Sequence, residues 1–239
     1  MLNGISRRAF LGLASGALFA STGSAGQAQK DNVPAVLDHI LLGCADLQRG
    51  IDFVEEHTGV RAAFGGVHPG RGTQNALLSL GDRHYLEIIA LDPKQSGAPD
   101  LYGLRTLVQP KLVSWAAHPG RLTEFAGRLT QEGIAFEGPT PGTRKRPDGR
   151  LLEWSTLNLK DDAGGLLPFF IEWKAGSTHP SADAPGGCQL LRFEIASPDP
   201  ASLRKLTLQF GLHVRIRESR IPQLCATVAG PHGELPLPS

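Results

Sequence analysis

Cysteine is scarce in this chain: only Cys44, Cys188 and Cys225 occur, with no Cys-x-x-Cys pair among them. That removes the zinc ribbon and the thioredoxin-type redox motif, and an odd count leaves at least one thiol unpaired. Cys188 and Cys225 could pair only across neighbouring strands; three thiols packed as small hydrophobes is the simpler expectation. An excess of charge of one sign is absent too. Twenty-four basic and 23 acidic side chains leave a formal net charge of +1, which gives no electrostatic footprint for nucleic acid. No Gly-x-Ser-x-Gly elbow, His-Glu-x-x-His helix, P-loop or Rossmann glycine fingerprint occurs. Serine hydrolase, zinc peptidase and nicotinamide-dependent chemistries therefore lack their carriers.

What is present is an ordinary globular balance, 41% hydrophobic and 20% charged, interrupted by 29 glycines and 18 prolines. So many turn formers point to short strands rather than long helices. The first 28 residues stand apart. A basic stretch ends in Arg7-Arg8, an apolar run follows from Ala9 to about Ala20, and small residues continue through Ala28. This reads as a signal segment, too short and glycine-rich to stay in a bilayer as a mature helix. Ser6-Arg7-Arg8-Ala9-Phe10-Leu11 resembles the twin-arginine signal pattern. The resemblance implies the twin-arginine translocase as a transient partner, cleavage after Ala25 or Ala28, and a periplasmic or otherwise exported product. Residues 29–35 read as a linker, and about 210 residues remain for one large domain or two small ones.

The mature chain reads as α+β, built on a repeated strand–helix–strand unit. Module one, 36–92, opens with the apolar strand Leu37 to Leu42. Asp46 is placed to cap a helix from Leu47 to His57 with Leu47, Ile51 and Val54 on one face, and Gly59 ends it. A glycine-rich loop from Gly65 to Gly72 precedes strands at 75–80 and 84–91. Module two, 110–175, has a strand at Lys111 to Ala117, a helix at Arg121 to Gln131, and strands at 151–159 and 166–173. A truncated third module, 188–238, has a strand at Leu190 to Ala196, a helix at Ala201 to Phe210 and a terminal hairpin. The interval is too long for a solenoid repeat, so duplication of a βαβββ module fits better.

Asp38-His39-Ile40, Gly70-Arg71-Gly72-Thr73-Gln74-Asn75, Tyr85-Leu86-Glu87-Ile88 and Phe169-Phe170-Ile171-Glu172-Trp173 resemble glyoxalase-like domains of the vicinal-oxygen-chelate superfamily. The resemblance spans 36 to about 238. It implies paired βαβββ modules whose curved mixed sheets form a cup with helices outside, completed within one chain or across a homodimer. It also implies metal ligands on the first and last strands of each module: His39, Glu87 and Glu172 here. A carboxylate inside an apolar strand must pair, protonate or bind a cation, so Glu87 and Glu172 are the strongest chemical signals. The remaining ligand position falls on Val113 or Ser114, neither a normal ligand. One imidazole and two carboxylates suit a divalent Mn, Fe, Ni or Zn ion. The alternative is a His39–Glu87 pair serving as a hydrogen-bonding floor.

Beyond those three, the loop residues His68, Arg71 and Asn75 could reach over the mouth of a cup, His68 also as a substitute ligand. Arg146 or Arg150, in the basic stretch from Arg144 to Arg150, could hold a ligand carboxylate with Trp154 as an apolar wall. The leading functional expectation is a metal-dependent lyase or isomerase acting on a small oxygenated metabolite, with Glu172 as general base. The competing one is a metal-free binding or sequestration protein using the same cup for a small molecule.

Overall fold

A computed structural model describes residues 32–239 apart from 82, 96 and 98. The signal segment 1–28 and the start of the linker lie outside the described residues. In the first unit, β1 (Leu37–Gly43) leads through Asp46 into α1 (Leu47–Thr58). The Asp46 side chain accepts from the Arg49 backbone N–H at 2.9 Å, and Leu47, Ile51 and Val54 are buried as their spacing predicts. Then come β2 (Ala63–His68), β3 (Thr73–Ser79) and β4 (Tyr85–Leu91). The second unit repeats the order: β5 (Lys111–Ala117), α2 (Leu122–Gln131), β6 (Phe136–Lys145), β7 (Leu151–Leu159) and β8 (Phe169–Trp173).

These eight strands form one sheet in the order β2-β3-β4-β1-β5-β8-β7-β6. Within each half the first strand pairs parallel with the last, β1 with β4 and β5 with β8, while β1 and β5 join the halves antiparallel. The sheet curls into a half-barrel. Its strands are apolar toward both sides, so period-2 alternation decides which residues face the cup and which face the core outside it. Ile40, Leu42, Leu86, Ile88, Trp115 and Phe170 belong to the main core with the helices. Leu41 and Ile89 pack instead on the inner side with Leu104.

The sequence expectation errs at two strands. β2 begins at Ala63 and takes in Gly65 and Gly66, which the pattern assigns to a loop. β6 (Phe136–Lys145) runs through Pro139 and Pro141, a stretch to which the sequence pattern assigns no strand. β6 is the outer strand of its half, and an edge strand tolerates proline because one side of its ladder has no partner.

The segment expected as a truncated third module carries a full set of elements wired differently. β9 (Gln189–Ser197), α3 (Pro200–Gln209), β10 (Arg215–Glu218), β11 (Gln223–Gly230) and β12 (Gly233–Pro238) form a four-stranded sheet ordered β10-β9-β11-β12. Here the first strand sits inside, parallel to β10 and antiparallel to β11. The sheet packs on the outer side of the half-barrel, where Phe193 meets Trp115 with ring centroids 4.9 Å apart. The cup is therefore left to the first two units. Cys44, Cys188 and Cys225 are all free. Among the described residues no helix is long and apolar enough to cross a membrane.

Candidate functional site

The concave face holds a cavity, open to solvent, with a polar floor from the first half and an aromatic wall from the second. The floor starts at a bulge in β1. Leu37 lies opposite Ala117 and His39 opposite Ala116, so Asp38 is the extra residue. A bulge re-aims the side chains around it, and here the Asp38 carboxylate comes beside the next residue. Asp38 Oδ1 lies 2.7 Å from His39 Nδ1, which fixes the ring so that Nε2 lies 3.4 Å from Glu87 Oε2. Asp38 Oδ2 accepts from Trp173 Nε1 at 3.1 Å and lies 3.2 Å from His179 Nε2. Tyr85 stacks on the His39 ring at 4.3 Å.

From Glu87 the network continues outward. Asn75 Nδ2 donates to Glu87 Oε1 at 2.6 Å, and Asn75 Oδ1 accepts from Arg144 Nη1 at 2.7 Å. His68 Nε2 stands 3.8 Å from Glu87 Oε1, its Nδ1 meeting Thr73 Oγ1 at 2.8 Å. Leu41, Ile89, Phe169, Ile171, Trp154 and Trp173 supply the apolar walls.

Burial opposes every charge in this row, yet the hydrogen bonds outweigh it. The His39 ring, bonded to Asp38 on one side and Glu87 on the other, has its pKa lifted to about 9 despite burial. Burial likewise disfavours the Glu87 carboxylate, but His39, the nearby His68 and the Asn75 amide bring it down to about 2. His179 and His39 hold Asp38 well below the usual carboxylate range. Near neutral pH the floor is thus an imidazolium clamped between two carboxylates. Burial lowers the pKa of His68, while the Glu87 carboxylate beside it acts in the opposite direction.

Several expectations meet here and others do not. His39, Glu87, His68, Arg71, Asn75 and Trp154 all line the one cavity. Glu172 does not. Phe169, Ile171 and Trp173 of β8 face the cup, so alternation turns Glu172 to the helix side, where Oε2 accepts the Leu122 backbone N–H at 2.8 Å. It caps α2, whose own cap position, Arg121, gives no side-chain bond. Arg146 is also outside the lining, ion-paired to Asp183 at 2.7 Å and Asp148 at 3.7 Å. Val113 and Ser114 do not reach the cavity either. Asp38, His179 and Arg144 are the residues the sequence reading missed.

The expected metal triad is therefore not assembled. Glu172 is spent on a helix end, and Glu87 Oε1 already accepts from Asn75. Among the described residues no group of three or more His, Cys, Asp or Glu side chains is placed to hold a metal ion. The donor set does not fit the implied ion, and no step below runs through one.

Comparison with known proteins adds a family. The model of the glyoxalase-like domain matches residues 37–210. The chain belongs to the glyoxalase-like domain family. Its two βαβββ units and cup are the fold of that family's vicinal-oxygen-chelate superfamily. A hypothetical protein from Staphylococcus aureus is similar over 84% of both chains, at 15% identity and a TM-score of 0.58, a likeness of fold. Methylmalonyl-CoA epimerase from Mycobacterium tuberculosis aligns with 59% of this chain and 89% of its own, at 19% identity and a TM-score of 0.43. A hypothetical protein from Bacillus halodurans covers 59% of this chain and 95% of its own, at 13% identity and a TM-score of 0.44. No curated protein matches this glyoxalase-like chain.

Proposed function

We propose that the cup is an active site for proton transfer at a carbon next to a carbonyl, in an isomerase or lyase acting on a small oxygenated metabolite. The observation that carries the reading is the Asp38–His39–Glu87 row, which sets an acid and a base side by side on a cavity floor. Their 3.4 Å separation is slack for a charge-assisted bond, which normally closes to about 2.8 Å. A carbonyl oxygen seated on His39 Nε2–H displaces Glu87 from it. Glu87 then keeps its burial but loses the His39 contact that does most to lower its pKa, so its pKa rises and it becomes a working base. Its carboxylate takes the proton from the carbon beside the carbonyl, and the C–H electron pair moves into an enolate. The His39 N–H stabilises the enolate oxygen, held in place by Asp38. Return of the proton to the opposite face of that carbon, or to another carbon of the enolate, gives an isomer; expulsion of a leaving group from the next carbon gives elimination.

The test is proton exchange. The mature protein is incubated in D2O with a panel of small hydroxy- and oxo-compounds, and loss of each C–H signal is followed by NMR. At least one compound exchanges, and Glu87→Gln slows it by about 10²- to 10⁴-fold while circular dichroism stays native. Exchange with no member of the panel, or at an equal rate in Glu87→Gln, sinks the proton-transfer reading and leaves a binding protein. We also infer that residues 1–28 direct export by the twin-arginine translocase, to the periplasm or otherwise out of the cytoplasm, supported by Arg7-Arg8 ahead of the apolar run.

A further inference from the structure

Arg144 is 3% exposed, yet its guanidinium has no carboxylate partner among the described residues. A guanidinium carries five N–H donors, and this one donates to a neutral amide, Asn75 Oδ1. The nearest carboxylate, Glu87, lies beyond that amide and is already matched by His39. Burying a cation without a counter-ion is costly, and burial does draw the Arg144 pKa down. The fold nevertheless makes room for it. A Cβ on Gly65 of β2 would collide with Arg144 Nη1, so a strand interior gives up a side chain to seat the guanidinium against the cavity.

An independent sign lies on the neighbouring strand. Thr156 of β7, 3% exposed, lines the same cavity, and among the described residues its Oγ1 is the buried side-chain polar atom with no hydrogen-bond partner. A buried hydroxyl without a partner is destabilising unless something outside the protein supplies one. Trp154, Trp173, Phe169 and Ile171 line the same cavity.

We infer that the second half of the cup is a carboxylate subsite, in which Arg144 takes the carboxylate of a small, partly apolar organic acid and Thr156 takes a second polar atom. The planar fork of a guanidinium matches a carboxylate in both charge and shape. A single negative charge is the load one unpaired cation offsets beside Glu87. The exposed Arg71 at the rim adds attraction for the same sign of ligand. This inference rests on the cup being the ligand site, not on the proton chemistry there.

Phenylacetate and its neutral amide, phenylacetamide, are the probes: small, alike in shape and different in charge. Binding to the full mature protein is measured by saturation-transfer NMR titration, without turnover, so absence of proton exchange does not affect the reading. Phenylacetate saturates and outbinds the amide. Arg144→Met weakens phenylacetate by at least about tenfold and leaves the amide unchanged. Thr156→Val, which replaces a hydroxyl lacking a protein partner with a methyl, keeps or raises Tm and weakens phenylacetate by roughly three- to tenfold. Phenylacetate failing to bind, binding no better than the amide, or binding equally to Arg144→Met overturns the subsite. So does a Thr156→Val protein that loses stability but not affinity, because the hydroxyl then has a structural partner.

Discussion

Asp38→Asn tests the floor of the cup most sharply, because an amide cannot do what the carboxylate does there. Asp38 receives Trp173 Nε1 at 3.1 Å and His179 Nε2 at 3.2 Å on one oxygen, and His39 Nδ1 at 2.7 Å on the other. Indole N–H can only donate, so the amide oxygen of Asn must stay on that side. Its NH2 then turns to His39 and needs an acceptor at Nδ1. The ring is forced neutral, with its proton on Nε2 toward Glu87. His39, lifted to about 9 in the wild type, should fall below its ordinary 6.5, because burial now acts with only Glu87 against it. Removing one partner of a buried pair costs about 3–5 kcal/mol, and keeping the amide's shape puts this change near the lower end. At roughly 2–4 °C per kcal/mol for a domain of this size, Tm drops by about 6–12 °C. The pH dependence carries a sign. His39 has a raised folded pKa, so its stabilisation is full below about 6.5 and is lost as pH rises through about 9. Asp38 and Glu87 have depressed values, so their share is present above the usual carboxylate range and lost as pH falls below it. The gap between wild type and variant is therefore widest near pH 6 and narrows above 9. Calorimetry gives the gap, and long-range ¹H–¹⁵N spectra of labelled histidine give the titration. A His39 pKa still near 9 in the variant, or a Tm within about 2 °C of wild type at pH 6, refutes the clamp.

Glu172→Ala should cost about 1 kcal/mol by uncapping α2, as a lost cap does elsewhere, with proton exchange and phenylacetate binding intact. Loss of exchange at unchanged stability would return Glu172 to the chemistry. Arg7→Lys combined with Arg8→Lys should hold the precursor in the cytoplasm, read by fractionation against a Sec-exported control. Export at the wild-type level would remove the twin-arginine reading.

The parts of the fold that follow a repeating pattern were legible in the residues. Asp46 and Gly59 mark α1 to within a residue at its C-terminus, and Leu47, Ile51 and Val54 show its buried face. His39 and Glu87 stand out because each interrupts an apolar strand. Glu172 interrupts one just as plainly, and that signal misled. A strand buried on both sides does not tell which parity faces the cup, and one residue of register exchanges Glu172 with Ile171 or Trp173. β2 and β6 were hidden for a different reason: Gly65, Gly66, Pro139 and Pro141 are turn formers by composition and strand residues by tertiary context. Arg144 went unseen with β6, so the charged residues just beyond it drew attention instead. Arg146 proves to be paired to Asp183 at the surface end of the hairpin. Asp38 needed the bulge, which only the pairing of β1 with β5 reveals.

The two halves share one strand order, but they divide the work unequally. His39, His68, Asn75 and Glu87 come from the first unit; Trp154, Phe169, Ile171 and Trp173 come from the second, with Arg144 as its lone charge. A site held symmetrically by both units needs donor side chains at matching positions, and the second unit has placed apolar ones there. That swap has an electrostatic consequence. Aromatic walls keep water off the floor, and in the lower effective dielectric the His39–Glu87 attraction is several times its value in water. The same walls make displacement of Glu87 consequential. A ligand oxygen that takes over the His39 N–H leaves a carboxylate with little water to stabilise it, and the cheapest remedy for that carboxylate is a proton from the ligand. On this account the apolar half sets the base strength of the polar half. Trp154, which faces the cavity with its ring 6.5 Å from His68, is then part of the chemistry without touching a proton.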